Sequence, residues 1–513
     1  MRWVAGQARR ALPVALPLSA GLALRLWMLG KLFDVNGDML IYGDLARNLL
    51  RHGRYALSLP GGAIYSTLIR LPGYPLFLAF CFKVLGMENY FAVACVQIAL
   101  DLLGCLLVAG FVRRMTPAPA SRGAALATLW LAVLCPFTAS YSVALLAEAP
   151  TLFVLALAMW AMARFDDDLR RDEPGWVNAL CFTFAITAAM LLRPDGALAA
   201  LAFGPVFLMG FGGRHRPRPG LRQPGAGQET GATSKEAGEM PLRKLVCMAV
   251  VCVLLALAPF AVWTARNWRV FHVIEPLASR QATDPGEPTN PGWHRWVKSW
   301  CLDFLSTFEI YWNVPGDKLD VSELPGRAFD TPAQHAETVT LAEDYNSRGM
   351  VLTPGIDAGF ARLAEERIAA HPWRYFLWLP LGREADMWLR PRIENLPIDL
   401  DWWVYAHHHA ETEFSWAYAG LNALYLLLAI AGLWISPQRR GPAAGGPDMR
   451  PRFWGALLAY MLLRSMLLWT VEAPETRYTL ECFPMLFALG GIALSRWMNR
   501  RYLSKLKAVF GKG

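Results

Sequence analysis

Asp38, Tyr42 and Asp44 stand in a D-x-x-x-Y-x-D spacing inside FDVNGDMLIYGDLARNLLRHG. On a helix the first two share a face, because positions four apart lie one above the other. A carboxylate at the mouth of that helix, directly after Gly37, can take a proton from a hydroxyl arriving from water. The same carboxylate can instead cap the helix and do no chemistry. Spacing leaves both readings open.

The remaining reactive side chains point to less. Of nine cysteines, eight fall in apolar segments (Cys81, Cys95, Cys105, Cys135, Cys181, Cys247, Cys252, Cys482), and only Cys301 is in a polar one. With no CxxC or Cys/His ligand spacing, neither a disulfide framework nor a structural zinc site is expected. His407, His408 and His409 are adjacent, and three consecutive side chains cannot all face one metal, so an exposed interfacial loop is expected, with a zinc role as the alternative. A divalent ion is possible, but no metal ligand is assigned. Asp101 sits in the middle of an apolar run, where an acid needs a partner; Arg25 and Arg464 are the candidates, and a structural pair is expected. Trp293, Trp296 and Trp300 recur at helical spacing around Arg295 and Lys298. That pattern predicts membrane-surface anchoring, with sugar stacking as the sharper alternative.

What must position these residues is a membrane scaffold. The chain has 513 residues, 55% of them hydrophobic, with 21 Trp, and a mean hydropathy of +0.27. A soluble domain cannot hide so much apolar surface. The net charge of +9 does not indicate nucleic acid, because the Lys and Arg flank apolar segments as membrane topology requires. Ten segments are expected to span: 11–33, 89–112, 123–141, 149–164, 176–192, 196–211, 243–263, 416–436, 453–470 and 479–497. The first is read as a retained anchor, since no A-x-A-like cleavage site follows it. A cytoplasmic N-terminus puts Arg9 and Arg10, Arg113 and Arg114, Arg170 and Arg171, the stretch Arg214 to Arg222, Arg439 and Arg440, and Arg500, Arg501 and Lys505 on the inside.

Two regions then face outward. YPLFLAFCFKVLG is too short to cross, and WRYFLWLPLGREADMWLR carries Arg383, Glu384 and Asp386, each costing about 2.5–3.5 kcal/mol at the bilayer centre. Both are expected to lie at the interface. Gly212 to Glu239 and the loop GPAAGGPDMRPR, rich in Gly and Pro, read as cytoplasmic linkers. The expected organisation is an N-terminal membrane domain over 1–265 with an outer loop at 34–88, an outer region over 266–415, and C-terminal spans with a basic tail over 416–513. The fold class is an all-α integral membrane protein of about ten transmembrane helices with outer-face juxtamembrane helices.

The first outer loop resembles that of the C-type membrane glycosyltransferases, particularly the protein O-mannosyltransferases and the lipid A aminoarabinose transferases (a family-39-like pattern). The residues carrying the resemblance are Asp38, Tyr42, Asp44, Ala46 with Leu49, Gly53, and Arg70, Pro72, Tyr74 and Pro75. It implies that Asp38 is catalytic and that Arg70, where the aminoarabinose transferases have Lys, lies near a carrier phosphate. Arg keeps the charge but offers a planar fork. The resemblance extends to Glu148 as a second acid, to Arg193 and Arg266 at span ends, and to Arg477 with Tyr478 on the last outer turn. From the residues alone, Glu148 could be a helix-dipole acid and either arginine an interfacial anchor.

The implied function is a glycosyltransferase of the inner membrane, both termini cytoplasmic, moving a sugar from a polyprenyl-phosphate donor to an envelope glycolipid or protein acceptor. A leaving phosphate departs as an anion and needs positive charge rather than a second acid, so one base and several outer-face arginines suit an inverting displacement. No cofactor beyond the open question of a divalent ion is assigned, and no nucleic-acid partner is expected. The alternatives are a transporter or flippase, which would need functional groups near the midplane, and a related ligase or polymerase acting on a lipid carrier, which fits the D-x-x-x-Y-x-D loop poorly.

Overall fold

Which helices can cross a bilayer is decided by length and apolarity, since about 20 residues at 1.5 Å each cover a hydrocarbon core of about 30 Å. In a computed structural model, which describes residues 2–171, 173, 175–212, 242–278, 283–435 and 450–510, six helices meet that requirement. They are Leu12–Leu32, Tyr90–Met115, Glu148–Leu169, Arg243–Phe271, His409–Ile435 and Thr476–Asn499. The chain is an all-α integral membrane protein. From residue 213 on, the Gly/Pro-rich stretch to Glu239 lies outside the described residues, as does the later loop up to residue 449.

The expected count of ten spans is not reproduced among the described residues. The segment 123–141 is two helices, α5 (Ser121–Val133) and α6 (Pro136–Val143), bent by 53°. Pro136 lacks an N–H and forces Cys135 into an extended conformation (φ −68°, ψ 111°), which breaks the helix there. Counting the pair as one span gives up to seven. The helices at Trp176–Leu192 (α8) and Pro194–Met209 are apolar but short, and Arg450–Leu468 (α17) is outside the six.

The chain divides into two compact units. The first comprises Met1–Ala278, Tyr425–Tyr460 and Phe483–Gly513. It holds α1 (Arg2–Leu32), α2 (Asp38–His52), a short hairpin, α3 (Gly73–Leu85), α4 (Tyr90–Met115), α5, α6, α7 (Glu148–Arg170), α8, α9 (Ala197–Gly212) and α10 (Leu242–Phe271). The hairpin pairs β1 (Ala56–Ser58) and β2 (Ile64–Ser66) antiparallel, with Leu57 opposite Tyr65. Around α4 pack α7, α5 and α6, and α8 backs onto α7. By contrast α10 exposes Val250, Leu254, Leu257 and Val262, an apolar surface suited to lipid.

Across this unit α1 and α4 are joined by a buried charge pair. Arg25 Nε donates to Asp101 Oδ2 at 2.6 Å, and its Nη1 donates to the carbonyls of Gly21 (2.9 Å) and Val133 (2.7 Å). Side-chain exposures of 0% and 5% mean that each charge depends on the other. Of the two partners considered for Asp101, Arg25 is the one used. Arg464 pairs instead with Glu481.

The second unit comprises Ser279–Leu424 and Met461–Cys482. Its core is aromatic: Trp293, Trp296 and Trp300 of α11 (Pro291–Lys298) and the turn after it pack with Phe360 and Leu363 of α14 (Pro354–Ala370). The expectation of surface anchoring fails here. All three rings are at most 1% exposed, because their helical spacing forms one face turned onto α14, and this also removes them from sugar stacking. The interfacial segment splits as its charges require: Trp373, Phe376, Trp378 and Leu389 are exposed, whereas Arg383 of α15 (Leu379–Leu389) is buried and donates to the carbonyls of Lys298 and Cys301.

Candidate active site

The first outer loop is built on α2, which begins at Asp38 behind Gly37 in a positive-φ conformation (φ 49°). Gly37 therefore occupies the cap position, and Asp38 is the first helical residue. Its carboxylate Oδ1 accepts from Arg70 Nη2 at 2.8 Å. The pair is part-exposed, 28% for Asp38 and 22% for Arg70.

One turn along α2, Tyr42 packs edge-on against Tyr74, ring centroids 4.9 Å apart, and lies 5.9 Å from the Arg70 guanidinium carbon. Burial raises the Tyr42 phenol above its ordinary pKa; Arg70 opposes this, and the neighbouring Asp38 and Glu148 add to it. Tyr42 is therefore a neutral hydroxyl at working pH. Tyr74 is fully buried and also raised, chiefly by burial. Its hydroxyl donates to Gln97 Oε1 at 2.8 Å, and Gln97 Nε2 donates to the Ala144 carbonyl at 2.6 Å. Next to Tyr74 the backbone must come close to its neighbour. A Cβ on Gly73 would lie 2.5 Å from the Leu191 carbonyl carbon, so only glycine seats α3 against the end of α8.

That end of α8 carries Arg193, whose Nη1 donates to Glu148 Oε1 at 2.7 Å and whose Nε donates to Asp195 Oδ1 at 3.3 Å. Glu148 opens α7 with 3% exposure. Both Glu148 and Arg193 act electrostatically on Tyr42. Asp38, Tyr42, Arg70, Tyr74, Glu148 and Arg193 thus form one cluster in the first unit.

Asp44 takes a different place. It sits six residues past Asp38, about 120° around the helix, and accepts from the Ser58 backbone N–H (2.6 Å), the Ser58 hydroxyl (2.8 Å), Asn48 Nδ2 (3.2 Å) and Arg47. It ties α2 to the hairpin. On this side an open cleft of about 640 Å³ runs between Leu40, Ile41, Asp44, Arg47, Glu88 and Tyr90.

Arg266 is a clamp on the same loop. Its Nη2 donates to the Tyr55 carbonyl at 2.8 Å, and its guanidinium stacks over Tyr55, Trp263 and Phe271 at 5.1–5.5 Å. The Tyr55 hydroxyl in turn donates to the Arg70 carbonyl at 3.0 Å. Arg266 therefore supports the backbone that presents Arg70. Nothing in the sequence marked Tyr55 for this role.

Arg477 and Tyr478 belong to the second unit. Arg477 pairs with Glu475, and its guanidinium lies 6.0 Å from the Trp312 and Tyr478 rings. The Tyr478 carbonyl accepts from Arg464 Nε at 2.7 Å. The whole turn is gripped by Arg392, which donates to the Thr476 carbonyl (2.9 Å), Thr479 Oγ1 (2.5 Å) and Asn422 Oδ1 (3.2 Å). Arg392 was missed from sequence, where PRIEN looks like any polar loop.

Residues 70–218 match the family model described as dolichyl-phosphate-mannose-protein mannosyltransferase. Among solved structures the chain is similar to the oligosaccharyltransferase AglB of Archaeoglobus fulgidus, in complex with an inhibitory peptide and a dolichol-phosphate. The identity is 12% and the TM-score 0.48, over 98% of this chain and 52% of that one. This chain thus spans about half of that protein's length. It is also similar to ArnT of Cupriavidus metallidurans bound to undecaprenyl phosphate, at 14% identity and TM-score 0.36, over 95% of this chain and 78% of that one. No curated protein matches the chain.

Proposed function

We propose that the protein is a glycosyltransferase that moves a sugar from a polyprenyl-phosphate carrier to an envelope glycolipid or protein acceptor. The reaction is placed at the outer face of the inner membrane, with both termini cytoplasmic. The observation that carries this reading is the Asp38–Arg70 pair, 2.8 Å apart and part-exposed, beside two tyrosines and the Glu148–Arg193 pair. A carboxylate base next to a fork-shaped cation is what a displacement at a sugar phosphate requires. The match of residues 70–218 to a mannosyltransferase family supports the same chemistry.

In this reading the donor phosphate competes with Asp38 for Arg70, and the carboxylate so released turns to the acceptor. Asp38 takes the acceptor hydroxyl proton as the oxygen attacks the anomeric carbon. The bond from that carbon to the phosphate oxygen breaks, and the polyprenyl phosphate leaves as an anion held by Arg70. One displacement inverts the anomeric configuration. In this reading Tyr42, neutral, donates to an oxygen of donor or acceptor, and the Glu148–Arg193 pair holds the sugar. A transporter would instead use charge near the midplane, and Asp101, the mid-span acid, is closed on Arg25.

The test is transfer from a polyprenyl-phosphate sugar in membrane vesicles, with envelope lipids and glycoproteins followed by mass spectrometry. Asp38→Asn should insert and fold normally while transfer falls by about 10²–10⁴-fold. A wild-type rate in that variant would remove the mechanism.

A further inference from the structure

The histidine run offers chemistry that the proposed transfer does not use. After α15 the chain runs through a loop, 390–408, into α16 (His409–Ile435). That loop folds back on itself: the Val404 carbonyl accepts from the backbone N–H groups of His407 (3.0 Å) and His408 (3.2 Å). The His408 carbonyl accepts from the Thr412 N–H and hydroxyl, both at 2.8 Å, and the same hydroxyl donates to the Trp402 carbonyl. His408 is thereby fixed at the head of α16, with its side chain 18% exposed.

Three carboxylates surround its ring. Asp399 Oδ2 lies 3.4 Å and Glu411 Oε2 3.5 Å from Nδ1, whereas Asp401 Oδ1 lies 3.3 Å from Nε2. The ligand atoms of Asp399, His408 and Glu411 all fall within 4.8 Å of one another. The Asp399 backbone N–H also donates to Glu411 Oε2 at 3.2 Å, which sets the direction of that carboxylate.

We infer that Asp399, His408 and Glu411 form a binding site for a zinc-type divalent cation, with Asp401 orienting the imidazole. Ligands about 2.0–2.1 Å from a tetrahedral zinc stand about 3.3–3.4 Å apart, close to the spacings from Nδ1. Asp401 Oδ1 faces Nε2 at 3.3 Å; a proton on that nitrogen would leave Nδ1 as the ligating atom, as in carboxylate–histidine–metal arrangements. One imidazole with two carboxylates selects zinc or a similar transition ion over magnesium or calcium, which prefer oxygen alone. A fourth position would be taken by water. His407 and His409 play no part, since neighbouring side chains diverge. The bound ion would staple the loop to the first turn of α16 and fix Trp403, whose ring lies 6.0 Å from the Arg390 guanidinium.

The experiment titrates zinc chloride into the full chain, tag-free and chelator-treated in detergent, by calorimetry and by thermal unfolding. The wild type should bind zinc saturably and gain thermal stability. His408→Ala should lose at least about 100-fold in that affinity together with the thermal gain, and Asp401→Asn about 10–100-fold. His407→Ala and His409→Ala should titrate as wild type. Glu411→Gln, a change at a part-exposed side chain, should weaken binding as well and keeps the test valid should His408→Ala fold poorly. Unaltered zinc binding in His408→Ala or Glu411→Gln would overturn the site. So would a wild type that takes up no zinc.

Discussion

Arg70 reaches Asp38 across 32 residues of sequence, Nη2 to Oδ1 at 2.8 Å. A part-exposed pair of this kind contributes only about 0–1 kcal/mol to stability. The fold therefore gains little from it, yet holds it firmly: Gly73 seats the following helix, and Tyr55 anchors the Arg70 carbonyl.

Because the pair is energetically minor, Arg70 can be changed without unfolding the protein. Arg70→Ala should lower transfer by about 10²–10³-fold, the cost of removing one stabiliser of a developing anion. Arg70→Lys keeps the charge but not the fork, so it should retain part of kcat with a raised KM for the polyprenyl-phosphate donor. Steady-state kinetics on both variants checks this; equal losses would argue against a phosphate role.

Gly73→Ala puts a methyl 2.5 Å from the Leu191 carbonyl carbon, and backbone on that side cannot yield easily. The substitution should cost about 1–3 kcal/mol by overpacking and misplace Arg70 and Tyr74 together. Thermal unfolding in detergent gives the first effect. Loss of transfer exceeding the loss of folded protein gives the second.

Asp101→Leu strands Arg25 in an apolar interior and should destabilise by about 3–5 kcal/mol. The double variant Arg25→Leu/Asp101→Leu should recover much of that loss, since the pair itself is not needed for burial. Thermal midpoints of the two variants decide the matter; a double variant worse than the single one would assign the pair a further task.

Asp386 links stability to pH. Burial pushes its carboxyl up to about 7, with Arg390 opposing and Asp303 and Glu394 adding to the rise. In the unfolded chain the group titrates near 3.9, so the folded state holds the extra proton between these values. Stability from this group is therefore greatest below about pH 4 and lost as pH rises through 7. Asp386→Asn should flatten that decline and raise the thermal midpoint at pH 7–8, leaving the value near pH 4 unchanged. Parallel pH profiles of wild type and variant would refute the shift.

The sequence was legible where the physics is local. Hydropathy over 20 residues is a sum along the chain, so the spans beginning near residues 12, 90, 148 and 243 could be read directly. The i, i+4 geometry likewise put Asp38 and Tyr42 on one helix, and the need of a mid-span acid for a partner left Arg25 and Arg464 as candidates, between which only the fold chose. Local reading failed where the same pattern serves two environments. A helical row of tryptophans looks identical whether it meets lipid or α14, and in the fold it meets α14. The break at Pro136 was hidden inside a hydropathy sum that does not register a missing N–H.

Partner choice was decided by tertiary structure alone. Asp44 and Asp38 are both acids on one helix, yet one is consumed by the Ser58 hairpin and the other by Arg70. Likewise, only folding places Asp399 and Glu411 around His408, and Arg392 on the turn that carries Arg477. The reason is that composition along a chain determines which solvent each segment prefers, whereas a charge's partner is set by which distant segments pack together. Only a folded chain contains that information.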